Sequence, residues 1–395
     1  MSNYSPADHW KMMADHVRGA AYAEALRRTV SPRAVVLDIG TGTGAFALLA
    51  SVLGASRVYA VEHDASIEVA RQLAAANGLG DRIEFIRAFS TEIRLPERVD
   101  VIVSDLRGVL PLHGRHLTSI ADARQRFLRP GGVLIPQRDT IWASVVEAPD
   151  HYHQLVTPWE HDTHGLVFDA ARQLAANRWS KVRITPDQLL AAASPWATVD
   201  YERVENPHLS GELSFVIQRR GIGHGWCLWF DATLFDQVGF SSAPGGPEVI
   251  YGNGFFPWYE PTALEPNDVV TLSLSANLVG DDYVWRWKTT VREGGELGRV
   301  KVDAQQSNFL AAPISREVLD RGRSDAIVTL GEEGRIDRRI LGLMNGTLSI
   351  DEIARTVAAE FADRFTTPEA ALAKVRDIAR RYGRGHSSTA PTSSP

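Results

Sequence analysis

The feature that most constrains this chain is a glycine-rich turn between an apolar strand and an apolar helix. Residues 34–39 (AVVLDI) form a short run typical of a buried strand, and Gly40, Gly42 and Gly44 follow at alternate positions before a helical pattern. Glycine lets the backbone approach a ligand closely and adopt tight-turn dihedral angles. The start of a helix adds unpaired N–H groups. The turn therefore predicts a binding site for a ligand that contains a nucleoside.

The surrounding pattern predicts the fold. Strand-like and helix-like segments alternate over residues 34–136, which indicates an α/β, Rossmann-like, doubly wound and mostly parallel sheet. Glu62 ends the second predicted strand, twenty residues after Gly42. An acid in that place can accept hydrogen bonds from both hydroxyls of a ribose.

The glycine turn alone does not decide between two classes of ligand. Gly40-x-Gly42-x-x-Ala45 also satisfies the dinucleotide pattern. Two features favour S-adenosylmethionine instead. Asp38 lies two residues before Gly40, and a Pro-Gly-Gly turn at 130–132 follows the predicted helix after strand four, where methyltransferases usually carry one. We therefore expect a cofactor site for S-adenosylmethionine. The alternative is a glycine turn that serves packing and binds no ligand.

The pattern changes twice after the first domain. Beyond about residue 140, strands with period-two alternation predict an all-β unit, a sandwich or barrel, which we take as an antiparallel β-barrel domain with a helical insert at about 168–195. Beyond residue 313, short helical patterns follow, with Thr347 or Ser349 as the cap of one of them. We expect four parts: a cofactor domain with an N-terminal covering helix, the β-barrel, a small helical or winged-helix domain and a disordered tail, over residues 1–139, 140–305, 306–385 and 386–395.

Composition excludes several classes of partner. The net charge of −6 argues against nucleic acid as the main partner. No apolar run reaches the length of a membrane span or a signal peptide, so we expect no membrane association. A single cysteine, Cys227, is in keeping with the reducing cytoplasm. The His151-x-His153 region with His161 and His164 is more typical of a surface histidine cluster than of a zinc site, and we expect no metal.

Several ordered motifs resemble the protein arginine methyltransferase family over about residues 8–300. They are the N-terminal pattern His9-x-x-Met12-x-x-Asp15-x-x-Arg18-x-x-x-Tyr22, then VLDIGTGTG, GASRVYAVE, RLPERVDVIVSD, RFLRPGGVLIP, CLWFDATLF and GFSSAPGGP. The helical insert stands where this family has a dimerisation arm. The resemblance thus implies S-adenosylmethionine as cofactor and a homodimer formed through the arm.

The resemblance also implies roles for individual residues. Arg18 would clamp the methionine carboxylate of the cofactor, as suits a guanidinium fork. Glu62 would bind the ribose hydroxyls, and Met12 and Tyr22 would approach the reacting region. The remaining cofactor contacts that it implies are Asp38, Gly40, Gly42 and the segment from Phe89 to Glu92 with Ser90 and Thr91.

The acceptor side departs from the family pattern. The family's loop carries two glutamates that hold a guanidinium, whereas this chain has Asp105 at the first position and Gly114 at the second. The family's Thr-His-Trp loop is replaced by the segment around Tyr251. Loss of one charge-assisted contact costs a few kcal/mol, roughly. Arg107 also makes a cationic acceptor less favourable if its side chain points inward.

The sequence therefore predicts a methyltransferase with a rebuilt acceptor pocket. We expect a nitrogen or oxygen acceptor in a peptide or a small, natural-product-like molecule, with Asp105 orienting it. His113 could accept a proton as a neutral imidazole, and Tyr251 could line the pocket. Arginine, free or in a peptide, stays open as acceptor. So does a catalytically silent, cofactor-binding regulatory protein.

The C-terminal segment carries a weaker resemblance. Its helix patterns are similar to small winged-helix modules, including PqqD-like peptide-recognition proteins. A helical lid or an oligomerisation element would have the same pattern. A module that reads DNA is disfavoured by the acidic first half of the segment.

Overall fold

The computed structural model describes residues 6–159, 165–313 and 315–383. The chain divides into two compact units at residue 313, and each unit is described by itself. The predicted tail at 386–395, as well as His161 and His164, lies outside the described residues. Within the described parts of the chain, no helix is both long and apolar enough to cross a membrane.

The first unit begins with two helices rather than the single helix predicted over residues 8–29. Helix α1 (Pro6–Ala14) ends just before Asp15, and α2 (His16–Thr29) begins just after it. The Asp15 carboxylate accepts the backbone N–H of Arg18 at 2.9 Å, and its other oxygen accepts that of Ile250 at 2.7 Å. An N-cap of this kind satisfies a free helical N–H group. The break follows because one side chain both caps α2 and binds a distant loop.

The predicted parallel sheet is confirmed. Five strands lie in the order β3-β2-β1-β4-β5, and every neighbouring pair is parallel. The order reverses between β1 and β4, which is where sheets of this type bind ligands. The strands are β1 (Val35–Ile39), β2 (Arg57–Val61), β3 (Ile83–Ile86), β4 (Val99–Ser104) and β5 (Leu128–Ile135). The helices between them are α3 (Ala45–Val52), α4 (Ile67–Ala76) and α5 (His116–Phe127).

The Pro-Gly-Gly segment differs from its prediction as a turn. It lies inside β5, where the pairing with β4 shifts register and Gly131 adopts a φ of 72°. An irregularity of this kind accommodates extra residues on one strand without ending it. Helix α5 ends at Phe127, four residues before Gly131.

The second half of this unit is an antiparallel β domain of two sheets. One sheet has the order β7-β12-β10-β6-β8 with β11 paired to β10, and the other has the order β15-β14-β13-β9. The predicted antiparallel β domain is confirmed, and its strands pair in these two sheets. Its strands are β6 (Arg138–Val146), β7 (Ser180–Val182), β8 (Ser194–Asp200), β9 (Leu209–Val216), β10 (Gly221–Phe235), β11 (Val238–Ser241), β12 (Asn253–Leu264), β13 (Val269–Val279), β14 (Asp282–Arg292) and β15 (Val300–Ser307).

The predicted helical arm at 168–195 is much shorter in the structure. Helix α6 (Pro149–Leu155) precedes it, and only α7 (Asp169–Ala176) lies within it. Strand β7 pairs with β12, and the following TPDQLLAAA segment has a single turn at Pro186–Gln188 instead of a helix. The Leu190 N–H binds the Val145 carbonyl at 2.9 Å. Pairing with the edge of β6 therefore overrides the helical propensity of this segment.

The second unit is helical. It contains α8 (Arg316–Arg321), α9 (Glu332–Leu343), α10 (Ile350–Glu360) and α11 (Pro368–Tyr382). Ser349 caps α10 in a capping box with Glu352, as the sequence indicated. The last three helices share a small core that includes Ile340, Val357 and Val375. Residues 315–383 contain no strand, so the predicted winged-helix module, which needs a β-hairpin, is wrong for this part.

Candidate functional site

A cavity of about 780 Å³ opens at the carboxyl ends of β1, β2 and β4. Parallel strands bring their carboxyl ends to one edge, so residues far apart in sequence meet there. The cavity wall includes the glycine turn, the acid after β2, the loop after β4 and the start of α2. Its lining contains most of the predicted site residues: Met12, Arg18, Gly40, Gly42, Glu62, Phe89, Ser90, Thr91, Glu92, Asp105, His113 and Gly114.

Glu62 braces the glycine turn. One of its oxygens accepts the N–H of Gly42 at 3.1 Å, and the other accepts the N–H of Asp64 at 2.9 Å. His63 stacks on Phe89 at a centroid distance of 4.5 Å, and both rings line the cavity. The sequence did not predict this aromatic stack, because the two residues belong to different strand ends.

Asp38 lies beneath the turn and is fully buried. Its Oδ2 accepts Thr41 Oγ1 at 2.6 Å and the Ala47 N–H at 3.0 Å, whereas its Oδ1 has no hydrogen-bond partner in the described structure. Burial raises the pKa of Asp38 to about 7, although the Thr41 and Ala47 hydrogen bonds oppose that shift. Asp38 therefore stabilises the turn from behind and is not among the lining residues.

Asp105 immediately follows β4 and accepts donors from three separate segments. Arg18 Nε lies 2.5 Å from its Oδ2, and Arg107 Nη1 lies 3.1 Å from its Oδ1. The Tyr251 hydroxyl is 2.7 Å and 2.6 Å from the two oxygens. Burial alone would raise the pKa of Asp105, but Arg18, Arg107 and the Tyr251 hydrogen bond outweigh it and hold the pKa below its usual range. Asp105 is therefore an ionised carboxylate at neutral pH.

Arg107 points inward and is fully buried. Its Nε and Nη2 bind the two oxygens of Asp139 at 2.6 Å and 2.9 Å, and its Nη1 donates to the Tyr22 hydroxyl at 2.7 Å. Burial would lower the pKa of Arg107, yet the charge of Asp139 raises it well above its ordinary value. No role was predicted for Asp139 from the sequence. The one signal is an acid near the start of a strand whose later residues are mostly apolar.

Two predicted acceptor-pocket residues lie one layer behind the cavity wall. Tyr22 donates its hydroxyl hydrogen to the Ser104 carbonyl at 2.9 Å, and Tyr251 binds Asp105. Burial raises the pKa of both phenols well above the ordinary value. Neither ring is among the lining residues, so both fix the wall instead of touching its contents. Met12 does line the cavity, and its carbonyl accepts Arg18 Nη1 at 3.0 Å.

His113 stands at the exposed side of the same cavity. Its ring packs against Gly108, where an added Cβ would come within 2.9 Å of it. Partial removal of the ring from water lowers the pKa of His113, because it disfavours the charged imidazolium. The negative charge of Asp282 partly opposes this shift. The imidazole is therefore neutral near pH 7. Within the described parts of the chain, no group of three acidic, histidine or cysteine side chains has an arrangement that could hold a metal ion.

The residues present fit S-adenosylmethionine. Acidic and guanidinium side chains face a glycine turn across a cavity of nucleoside-binding size. Gly40 adopts a φ of 70°, a left-handed conformation that favours glycine, and an added Cβ would also come within 2.3 Å of the Leu106 side chain. The Ribosomal protein L11 methyltransferase (PrmA) family model matches residues 15–136. Fold and site together define the class I methyltransferase fold, which binds S-adenosylmethionine.

Comparison with known proteins narrows this class. The chain is 32% identical to protein arginine N-methyltransferase 6 of Danio rerio over 238 residues, which are 57% of this chain and 68% of that protein. It is 29% identical to probable protein arginine N-methyltransferase 6 of Arabidopsis thaliana over 255 residues, which are 62% of this chain but only 58% of that relative's length. The chain belongs to the protein arginine methyltransferase family.

Solved structures show the same fold. A chain of the Trypanosoma brucei PRMT1 enzyme-prozyme heterotetrameric complex with AdoHcy matches with a TM-score of 0.69 and 21% identity, covering 76% of this chain and 97% of that one. Arabidopsis thaliana protein arginine methyltransferase 10 matches with a TM-score of 0.68 and 21% identity, covering 77% and 97%. Both matches confirm the parallel sheet followed by an antiparallel β domain.

Proposed function

We propose that this protein transfers a methyl group from S-adenosylmethionine to a guanidinium nitrogen of arginine, free or in a peptide. The observation that carries the proposal is the position of Asp105. It is an ionised carboxylate in the wall of the cofactor cavity, and it already contacts the guanidinium groups of Arg18 and Arg107. A carboxylate at this edge of the sheet suits a cationic, hydrogen-bonding acceptor. Membership of the arginine methyltransferase family supports the same acceptor.

The cofactor would be held by the residues around the glycine turn. When bound, it supplies the methyl group on a positively charged sulfur. Arg18 uses Nε for Asp105 and Nη1 for Met12, so its Nη2 is available for the cofactor carboxylate. Glu62 would accept the ribose hydroxyls. The other proposed contacts are Gly40 along the methionine and ribose portion, Gly42 in the turn, and Ser90 and Thr91 beside the base, whereas Asp38 acts only by holding the turn from behind.

The acceptor side would work mainly by positioning. Asp105 would orient the guanidinium so that one nitrogen lone pair faces the methyl group, and alignment of this kind lowers the barrier of a displacement. The nitrogen forms the new N–C bond, the S–C bond breaks, and one proton leaves the nitrogen afterwards. His113 is neutral and lines the cavity, so it could receive that proton. Met12 would contact the acceptor from α1.

A second candidate is a neutral nitrogen or oxygen acceptor in a peptide or a natural-product-like molecule. The observation that favours it is charge balance. Arg18 and Arg107 balance the charges of Asp105 and Asp139, so this cluster carries no excess negative charge for a cationic acceptor. The sequence places Gly114 where the family pattern has a second acid, which points the same way.

Methyl transfer from labelled S-adenosylmethionine separates the candidates. The acceptors would be free arginine, an arginine-containing peptide and the same peptide with lysine in place of arginine. We expect acid hydrolysis to release labelled methylarginine from the arginine peptide only. Label in a neutral acceptor would support the second candidate. Tight cofactor binding without transfer to any acceptor, including a cell lysate, would contradict both and indicate a silent binding protein.

Replacing Glu62 should weaken cofactor binding. Glu62→Ala removes the ribose acceptor and also releases the Gly42 N–H. We expect the binding free energy of S-adenosylmethionine to fall by about 1–3 kcal/mol, from lost charge-assisted hydrogen bonds. Calorimetric titration measures this loss. Glu84→Ala, on the exposed side of β3, is the matched control and should bind normally. Equal affinity of Glu62→Ala and wild type would contradict the proposed ribose contact.

We also propose that the protein is a homodimer formed through the segment around α7. The solved relative from Trypanosoma brucei is part of a heterotetrameric complex, by its own description. Leu166 and Val167, just before α7, are exposed apolar side chains. Sedimentation velocity of a Leu166→Ser, Val167→Ser variant beside the wild type tests this. An unchanged dimer, or a wild-type monomer, would contradict it.

A further inference from the structure

We propose that Arg107 and Asp139 are positioning residues for methyl transfer, a pair that fixes the orientation and charge of Asp105. Neither residue has a place among the cofactor or acceptor contacts assigned above. The inference rests on the proposed function, because it takes Asp105 as the group that orients the acceptor.

The geometry of Arg107 makes it a rigid connector. Its guanidinium binds Asp139 through two parallel contacts, from Nε and Nη2, and a bidentate contact of this kind fixes the plane of both groups. Only Nη1 then faces the other way, toward Asp105 and the Tyr22 hydroxyl. The rings of Phe230 and Phe240 lie 5.6 Å and 5.9 Å from the guanidinium carbon. Arg107 therefore cannot turn away without losing several contacts.

Asp139 is itself held firmly. It lies in β6, which pairs with β10 on one side and β8 on the other. The Tyr201 hydroxyl donates to its Oδ2 at 2.5 Å. Asp139 does not line the cavity, so it cannot touch cofactor or acceptor and must act through Arg107. The β domain thus reaches Asp105 in two ways, directly through the Tyr251 hydroxyl and indirectly from Asp139 through Arg107.

The surrounding charges show what each member contributes. Asp105 faces Arg18 and Tyr22 on α2, Arg107 on its own loop and Tyr251 before β12, with Asp38 and His116 farther away. His116 is buried, and burial lowers its pKa to about 3, so it adds no positive charge. Arg18 and Arg107 are therefore the two cations that keep Asp105 ionised. Asp139 balances the second of them in the interior.

Stability does not explain why the chain keeps this pair. Both side chains are fully removed from solvent, and the cost of desolvating a buried ion pair commonly cancels its attraction. Apolar residues of similar size usually stabilise a core as well or better. Arg107 also contacts Asp105, an ionised carboxylate in the wall of the cofactor cavity. The effect of the Arg107–Asp139 pair on Asp105 is therefore the better explanation of the pair.

The test replaces both members, because removing one leaves an unpaired buried charge. In Arg107→Met, Asp139→Asn we expect Asp105 to titrate about one to three pH units higher than in wild type, since one adjacent cation is gone. ¹³C NMR of labelled aspartate carboxyls measures this, with the Asp105 signal assigned from Asp105→Asn. We expect kcat to fall about 100-fold through misalignment, with the acid limb of its pH profile moved upward. The KM for S-adenosylmethionine should stay unchanged.

The matched control is Lys301→Met, Asp268→Asn, which removes another largely buried ion pair in the β domain. It should leave both the Asp105 titration and kcat as in wild type. Arg107→Lys keeps the positive charge but cannot make the bidentate contact with Asp139. This variant should therefore retain the pH profile while kcat falls. A folded double variant with wild-type titration of Asp105 would overturn the inference. That readout needs no acceptor, so it decides the matter even if the wild type methylates nothing and the proposed function fails.

Discussion

Asp105→Asn should nearly abolish methyl transfer while cofactor binding persists. The substitution keeps the shape of the side chain but removes the charge that we propose orients the acceptor. It also leaves Arg18 and Arg107 facing a neutral group. We expect kcat to fall by roughly 100- to 1,000-fold, the size of loss that follows removal of one preorganised electrostatic contact from an enzyme site.

The same variant should lose stability. Breaking a buried ion pair by removing one partner costs about 3–5 kcal/mol, because the remaining charge is left unpaired. The folded pKa of Asp105 lies below the ordinary 3.8, so its stabilising contribution is present above about pH 4 and is lost as acid protonates it. Denaturation at pH 7 and pH 3 should therefore show a large difference from wild type at pH 7 and a smaller one at pH 3.

The control for Asp105→Asn is Asp303→Asn, which removes an exposed carboxylate paired with Lys288 at 2.9 Å. An exposed pair contributes little, about 0–1 kcal/mol, so stability and turnover should stay close to wild type. If Asp105→Asn methylates as fast as this control, Asp105 has no part in orienting the acceptor.

Asp38→Asn should make the first unit more stable at alkaline pH. The wild-type carboxyl is buried with one oxygen unpartnered, and burial raises its pKa to about 7. A raised carboxyl pKa favours the folded state at low pH, and that advantage disappears as pH rises through 7. The asparagine oxygen can still accept from Thr41 and Ala47. We expect the stability of the variant relative to wild type to rise by about 3 kcal/mol between pH 4.5 and 8.

Tryptophan fluorescence during urea unfolding measures this difference for the first unit alone. All ten tryptophans lie between residues 10 and 287, so the helical C-terminal unit does not contribute to the signal. Asp303→Asn again serves as the exposed control. A difference between Asp38→Asn and wild type that does not change with pH would show that Asp38 titrates normally.

The sequence by itself determined the parallel sheet, its glycine turn and the position of Glu62. These features depend on local rules: buried strands need apolar runs, tight turns need glycine, and parallel strands place their ends at one edge. Strands β12 and β15 lack such a clear local pattern. Two prolines interrupt the first, and polar residues occupy much of the second. The helical arm was overestimated because pairing with β6 and β12 outweighed its helical propensity.

Only the tertiary structure decided which groups surround Asp105. From the sequence alone, Arg107 could equally be a solvent-exposed loop residue, and Asp139 an exposed acid at the start of a strand. The fold brings Arg18 to Asp105 across 87 residues, Tyr251 across 146, and Asp139 to Arg107 across 32. Buried charges persist only when folding supplies opposite charges and hydrogen bonds for them. No local pattern encodes such partners, so the charge balance around Asp105 is a property of the assembled fold.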